Sequence, residues 1–192
     1  MIPVMQAYRL QDPHAADAPL NTLSPAFLAI SPAGAIPVLQ DDGLVLTESL
    51  AINLYLARKY GSDLGPRDAQ EDALMQQWAF YGATSVESAA LAILNVTTSA
   101  RMGTPEGDAE IATKAAALDR PLKVLEAHFA AHGHLVGDRF TVADINLAEV
   151  LRYAQAHPPL LAAFPSVNNW LLACQARPAF QEMWALRLAE PV

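Results

Sequence analysis

Residues 36–56 read Ile36-Pro-Val-Leu-Gln-Asp-Asp-Gly-Leu-Val-Leu-Thr-Glu48-Ser-Leu-Ala-Ile-Asn-Leu-Tyr-Leu56. Val38-Leu-Gln and Leu44-Val-Leu-Thr are short β-prone runs separated by Asp41-Asp42-Gly43. An Asp-Gly pair tolerates the positive φ that a tight hairpin turn demands, so the spacing predicts two antiparallel strands. Thr47, Glu48 and Ser49 then precede Leu50, Ile52, Leu54, Tyr55 and Leu56, which predict a mostly buried helix. A helix start offers unpaired backbone N–H groups and a partial positive charge. Glu48 and Ser49 at that point suit a ligand carrying both a carboxylate and an amine. Ser49 would donate its hydroxyl and N–H to the carboxylate, and Glu48 would pair with the ammonium. The competing reading is local: Thr47 or Ser49 caps the helix and does nothing else. Pro37 opens the first strand. It cannot donate to a ladder, so it belongs at an edge or a special turn. Its peptide bond is either ordinary trans or the cis form that marks a tight geometry.

The totals narrow the classes. A chain of 192 residues with 53% hydrophobic composition supports one large or two small cores. No apolar run reaches membrane-spanning length, and the start lacks the basic-then-apolar pattern of a signal peptide. A net charge of -8 without a Lys/Arg cluster argues against nucleic acid and anionic membranes as partners. The lone Cys174 excludes an intramolecular disulfide framework and a CxxC redox pair. The five histidines (14, 128, 132, 134 and 157) show no metal-ligand spacing with a carboxylate or thiol. Cytoplasmic residence follows as the default.

Beyond residue 60 nothing reads as strand. Tyr60-Gly-Ser-Asp-Leu-Gly-Pro-Arg67 reads as a linker, after a helix whose last turn holds Arg58 and Lys59 as the helix dipole favours. Asp68 to about Arg101 is a long helical stretch, with Leu74, Trp78, Tyr81, Ser85, Ala89, Ala92 and Val96 at three-four spacing. A second helix carries Ile111, Leu118, Leu122, Leu125 and Phe129, and Pro121 inside it predicts a kink. Thr141 and Asp144 are spaced as an N-cap and its reciprocal partner at the start of a third helix. Asp144 is therefore given a structural role. Ser166 is the expected cap of a fourth helix, and Cys174 falls on that helix's apolar stripe as a core thiol.

These features together resemble the cytosolic glutathione transferase family, bacterial glutathione transferase-like proteins among them. The carriers are Gly34-Ala-Ile-Pro-Val38, the Glu48-Ser-Leu-Ala-Ile-Asn-Leu-Tyr-Leu-Ala57 helix, the Thr141-Val-Ala-Asp144 unit and Ala176-Arg-Pro-Ala-Phe180. The resemblance implies an α/β thioredoxin-like N-terminal domain followed by an all-α helical bundle. Its domains would be 1–62, a linker at 63–67, and 68–192. It implies glutathione as co-substrate and no metal. The γ-glutamyl end of glutathione, which carries both a carboxylate and an amine, would lie at Glu48 and Ser49. The cysteinyl backbone would lie at Ile36, ahead of a cis Pro37. A small electrophile would sit near Trp78, Tyr81 and Tyr153, whose competing reading is core or interface packing. A homodimer would pair through the helix from Asp68, whose small residues Gly82, Ala83, Ser85, Ala89 and Ala90 allow close approach, with Glu87 as a contact to the partner subunit.

The family's domain opens with a strand, a catalytic turn and a helix. Residues 2–10 are read here as the strand that follows them. The expectation is thus an incomplete domain lacking strand 1 and helix 1, roughly 25 residues from typical element and loop lengths. No residue is assigned as the thiol activator: Ser24, Ser31 and Tyr8 have the chemistry but not the position. Two functions stand at this point. One is glutathione-dependent conjugation or thiol–disulfide exchange, weak in this form. The other is a non-catalytic dimerisation or interaction module on the same fold.

Overall fold

The computed structural model describes residue 2 and residues 4–189. The chain forms two compact units that divide between Lys59 and Tyr60.

The first unit is built around the hairpin. Strand β1 (Val38–Asp41) pairs antiparallel with β2 (Leu44–Thr47). The turn residues Asp42 and Gly43 have φ of 47° and 81°. Two consecutive positive φ values match the right-handed twist of the flanking strands, which is why Asp-Gly serves there. The register sets Asp41 opposite Leu44 and Val38 opposite Thr47. Helix α2 (Ser49–Tyr60) follows β2 after a single residue, Glu48. Ahead of the hairpin a short helix, α1 (Pro25–Leu28), buries Phe27.

The described residues of the segment 2–10 do not form the expected strand. Met5 makes one isolated parallel bridge to Asn21, and Ala7–Arg9 is a 3-10 turn. The backbone groups a ladder would use are taken by the segment 20–22. Met5 donates to the Leu20 carbonyl at 2.9 Å, Thr22 donates to the Met5 carbonyl at 3.0 Å, and the Ala7 N–H reaches the Thr22 hydroxyl at 3.0 Å. Met1 and Pro3, which the expected incomplete domain and its strand include, lie outside the described residues. Asn21 organises this loop. Its fully buried amide donates to the carbonyls of Pro13 and Pro19 and accepts from the Leu23 N–H. Gly34 is required nearby: at φ 61° a Cβ would stand 2.9 Å from the Thr22 carbonyl oxygen.

The second unit is helical throughout its described residues. Helix α3 (Ala69–Tyr81) is capped by Asp68, whose carboxylate accepts the N–H groups of Gln70 and Glu71. It continues through a π-helical turn, Gly82–Glu87, into α4 (Ser88–Thr97). Then come α5 (Pro105–Ala131), α6 (Val142–Leu151), α7 (Pro158–Ala162), α8 (Pro165–Gln175) and α9 (Pro178–Ala189). Helix α5 runs through Pro121 without a break. Met75, Ile93, Leu118, Leu122, Leu147 and Leu171 are fully buried at the centre. Each such side chain contributes on the order of 1.5–3 kcal/mol relative to exposure. Gly82 and Ala90, expected on a face for a second subunit, are buried inside this unit. A Cβ at Gly82 would stand 3.3 Å from Leu147 of α6.

Three polar anchors hold these helices. Asp144 is fully buried and accepts from the Thr141 N–H (2.9 Å), the Leu135 N–H (3.1 Å) and Trp170 Nε1 (3.0 Å). It closes a capping box with Thr141 and also ties α6 to α8. Glu126 of α5 accepts the N–H groups of Ser166 and Val167, each at 3.0 Å. The start of α8 is therefore capped from another helix, and the Ser166 side chain does not cap it. A tertiary carboxylate satisfies two orphan donors that a local hydroxyl would satisfy singly. Burial raises the Glu126 pKa, but the donors from Val167 and Ser166 outweigh it and the net direction is down. Third, Arg139 grips Glu71 with two bonds, at 2.8 and 2.7 Å, and donates to the carbonyls of Asp63 and Gly65. The segment read as a linker is thereby fastened to α3 and the α6 approach. The Arg139 guanidinium pulls the Glu71 carboxyl from 4.5 to about 2.

Two predictions follow from these anchors. A cap alone is worth about 0.5–2 kcal/mol. Asp144→Ala also strips the Leu135 and Trp170 donors of their acceptor, so the loss should be on the order of 3 kcal/mol or more. Denaturant titration measures it, and a loss below about 1 kcal/mol contradicts the hub role. Arg139→Met should cost about 1.5–3 kcal/mol at pH 7, the range for bonds to charged groups. Because the folded Glu71 carboxyl lies below its ordinary 4.5, its stabilisation is complete above that pH and is lost as pH falls through about 2. The stability gap between wild type and Arg139→Met should therefore narrow on acidification from pH 4.5 toward 2. A gap that stays constant would count against it.

Candidate functional site

The hairpin register creates the site. Val38 pairs with Thr47, so the residues just before β1 and just after β2 emerge at the same end of the sheet. Ile36 and Pro37 stand on one side of that end, Glu48 and Ser49 on the other. All four are exposed. The Ile36–Pro37 peptide bond is cis. Ser49 is the first residue of α2, and the Glu48 carbonyl accepts the Ile52 N–H at 2.9 Å, so the helix start lies at this end. Glu48 itself has φ 69°. A non-glycine residue in the left-handed region costs on the order of 1–3 kcal/mol and persists only where its surroundings determine it. Here the chain must turn from strand to helix in one residue, and the left-handed conformation makes that turn.

Chemically this end presents an anion-favouring helix start, a hydroxyl, and a carboxylate one residue away. An amino acid α-carboxylate and its ammonium match that pair. Ile36, exposed ahead of Pro37, lies across the gap from Glu48 and Ser49.

The opposite end of the hairpin holds a network that sequence reading missed. Lys59 Nζ reaches Asp41 Oδ2 (2.9 Å), the Asp42 carboxylate and the Tyr55 hydroxyl (3.1 Å), and that hydroxyl donates to Asp41 Oδ2 (2.9 Å). The signal was present in Tyr55 and Lys59, spaced i,i+4 on α2, facing a turn with two aspartates.

The hydroxyls considered for thiol activation are placed as follows. Ser31 is fully buried and its Oγ donates to the Ala35 carbonyl at 3.1 Å. Ser24 Oγ accepts the Asn21 N–H. Tyr8 is 79% exposed. Cys174 is buried, and burial first, then the Asp144 charge, pushes its thiol up to about 12, which leaves it protonated and inert.

Of the aromatics expected around an electrophile, Trp78 and Tyr81 are in contact. Trp78 is buried, with Tyr81 edge-on at 5.5 Å and His128 edge-on at 5.0 Å. The Tyr81 hydroxyl donates to the Pro121 carbonyl, and burial raises its pKa. Trp78 borders a cavity of about 710 Å³ with Leu74, Gln77, His128, His132 and Leu135. The Tyr153 ring lies under the Arg152 guanidinium at 5.1 Å. Glu87 ends the π turn and is half-buried. Among the described residues no group of three or more His, Cys, Asp or Glu is arranged to hold a metal ion.

Known proteins carry the same pattern. Residues 7–67 match the glutathione S-transferase N-terminal domain and residues 74–178 the glutathione S-transferase C-terminal domain. Glutathione S-transferase 3 of Zea mays is 39% identical over 170 residues, which span 82% of this chain and 74% of that protein. Glutathione S-transferase-like protein LUC7 of Fusarium sp is 37% identical over 162 residues, 80% of this chain and 71% of the relative. A solved structure of glutathione S-transferase-I bound with lactoylglutathione superposes with a TM-score of 0.75 at 31% identity, covering 86% of this chain and 81% of that one. A hairpin-and-helix unit of the thioredoxin-like kind, then a helical unit, with both domains matched in order, leaves one assignment: the chain belongs to the glutathione S-transferase family.

Proposed function

We propose that this protein binds glutathione at the open end of the hairpin and presents its thiol to a small electrophile. The γ-glutamyl carboxylate takes the Ser49 hydroxyl and the α2 N-terminus, the ammonium takes Glu48, and the cysteinyl backbone takes Ile36 beside Pro37. The chemistry is attack of the glutathione thiolate on an electrophilic carbon, or thiol–disulfide exchange carried by glutathione. No residue of this chain is assigned the activation of the thiol. Trp78, Tyr81 and Tyr153 are the aromatic contacts proposed for the electrophile. The observation that carries the reading is the register that sets Val38 against Thr47 and so faces residues 36–37 with residues 48–49. Membership of the family adds the ligand.

The working form is a cytoplasmic homodimer with Glu87 at the partner subunit. Support comes from Phe80, 66% exposed on α3, which is apolar surface for a second subunit to cover. No helix among the described residues is long and apolar enough to cross a membrane.

Ser49→Ala should weaken glutathione by about 1.5–3 kcal/mol, the value of a hydrogen bond to a charged group, or about tenfold and more. Calorimetric titration of both proteins measures it. Equal affinities would reduce Ser49 to a helix-start residue without a ligand. Light scattering on the intact chain should give twice the 20.6 kDa monomer mass. A monomer at micromolar concentration removes the dimer from the account.

A further inference from the structure

We propose that Tyr55 and Lys59 are positioning residues for glutathione, acting from the far end of the hairpin through Asp41. The inference rests on the proposed glutathione site at residues 36–37 and 48–49.

Strand β2 and helix α2 are joined by Glu48 alone, so they form two arms around one left-handed residue. The arms are comparable in length. Ten helical steps from Ser49 to Lys59 rise about 15 Å, and the four residues of β2 with the turn reach a similar distance at about 3.3 Å each. Their far ends therefore meet. Lys59 Nζ and the Tyr55 hydroxyl converge there on Asp41 Oδ2, both at 2.9 Å, and Lys59 also takes the Asp42 carboxylate. The ammonium lies 5.5 Å from the Tyr55 ring centroid, which adds a cation–π contact. Strand, turn, side-chain bonds and helix thus close a ring, and Glu48 is its only backbone hinge.

Closure of that ring fixes the angle between α2 and the hairpin. The angle decides where Ser49 and the helix N–H groups point relative to Ile36. A ligand held by charge-assisted bonds at one side and by backbone at the other tolerates about 0.5 Å and 10–20° of error. Opening the ring frees rotation about Glu48 and blurs that geometry.

The Lys59–Asp42 pair contributes little to global stability, because the Asp42 side chain is 79% exposed. The Lys59–Asp41 pair is more sheltered, at 31% and 18% exposed, so Tm is read beside affinity and Lys59→Arg separates the two effects.

The test measures glutathione affinity by calorimetry and Tm by calorimetric scan on the full chain and four variants: Lys59→Met, Lys59→Arg, Tyr55→Phe and Ser49→Ala. Lys59→Met should weaken glutathione about tenfold, by analogy with the low end of what losing an outer-shell partner costs a metal site, with Tm within a few degrees of wild type. Tyr55→Phe should weaken it by a smaller factor. Lys59→Arg, which keeps charge and reach, should restore most of the affinity. Should Lys59→Met fail to fold, Tyr55→Phe and Lys59→Arg decide the matter. Lys59→Met and Tyr55→Phe binding within twofold of wild type, while Ser49→Ala loses affinity, overturns the positioning role and leaves the site intact. Affinity that falls only in step with Tm, unrestored by Lys59→Arg, also overturns it. A wild type that does not bind glutathione, or a Ser49→Ala variant that binds equally, overturns the site and this inference together.

Discussion

The two-residue turn at Asp42-Gly43 is the constraint on which the candidate site depends. Its two positive φ values allow a hairpin with no slack, and that turn sets Asp41 opposite Leu44. Register then propagates to Val38 and Thr47. A slip of one residue would turn every strand side chain to the other face and would part Pro37 from Glu48. The site is thus a consequence of turn chemistry four residues away along each strand. Glu48 supplies the second constraint. It turns strand into helix within one residue, and its backbone adopts a conformation that few side chains favour.

The helical unit is held differently. Its interior is aliphatic, and the polar groups within it are joined rather than excluded. Asp144 gathers donors from the α6 cap, the preceding loop and α8. Glu126 caps α8 from α5, and Arg139 binds both a carboxylate and the carbonyls of residues 63 and 65. Each places a charge where several backbone groups would otherwise lack a partner, which is the condition under which a buried charge is tolerated. These side chains specify which helix faces which, while the apolar core supplies most of the driving force.

The sequence was most legible where one local rule sufficed. Asp42-Gly43 announced the turn, short apolar runs announced the strands, the apolar residues after Ser49 announced α2, and Thr141 with Asp144 announced a cap. It was least legible where a partner distant in sequence decides. Residues 2–10 look β-prone, yet a strand needs a ladder, and the backbone groups of Met5 and Ala7 bond instead to residues 20–22. Ser166 is a good cap by type, but Glu126 takes its place from forty residues away. Gly82 and Ala90 read as small residues that allow a second subunit to approach, whereas both are buried within the helical unit and Gly82 admits Leu147 of α6. The π turn at Gly82–Glu87 has no signature in residue type, because it depends on how the helix accommodates its neighbours. Of the site, Pro37, Glu48 and Ser49 were legible by motif. The Lys59 and Tyr55 network was not, because its partners lie across a hairpin.

Backbone amide shifts in a heteronuclear NMR titration with reduced glutathione test the central claim most directly. The account predicts saturable shifts concentrated at Ile36, Val38, Glu48, Ser49 and Leu50, with smaller changes elsewhere in the first unit. Saturable shifts confined to the helical unit, or no shifts at millimolar glutathione, would contradict it.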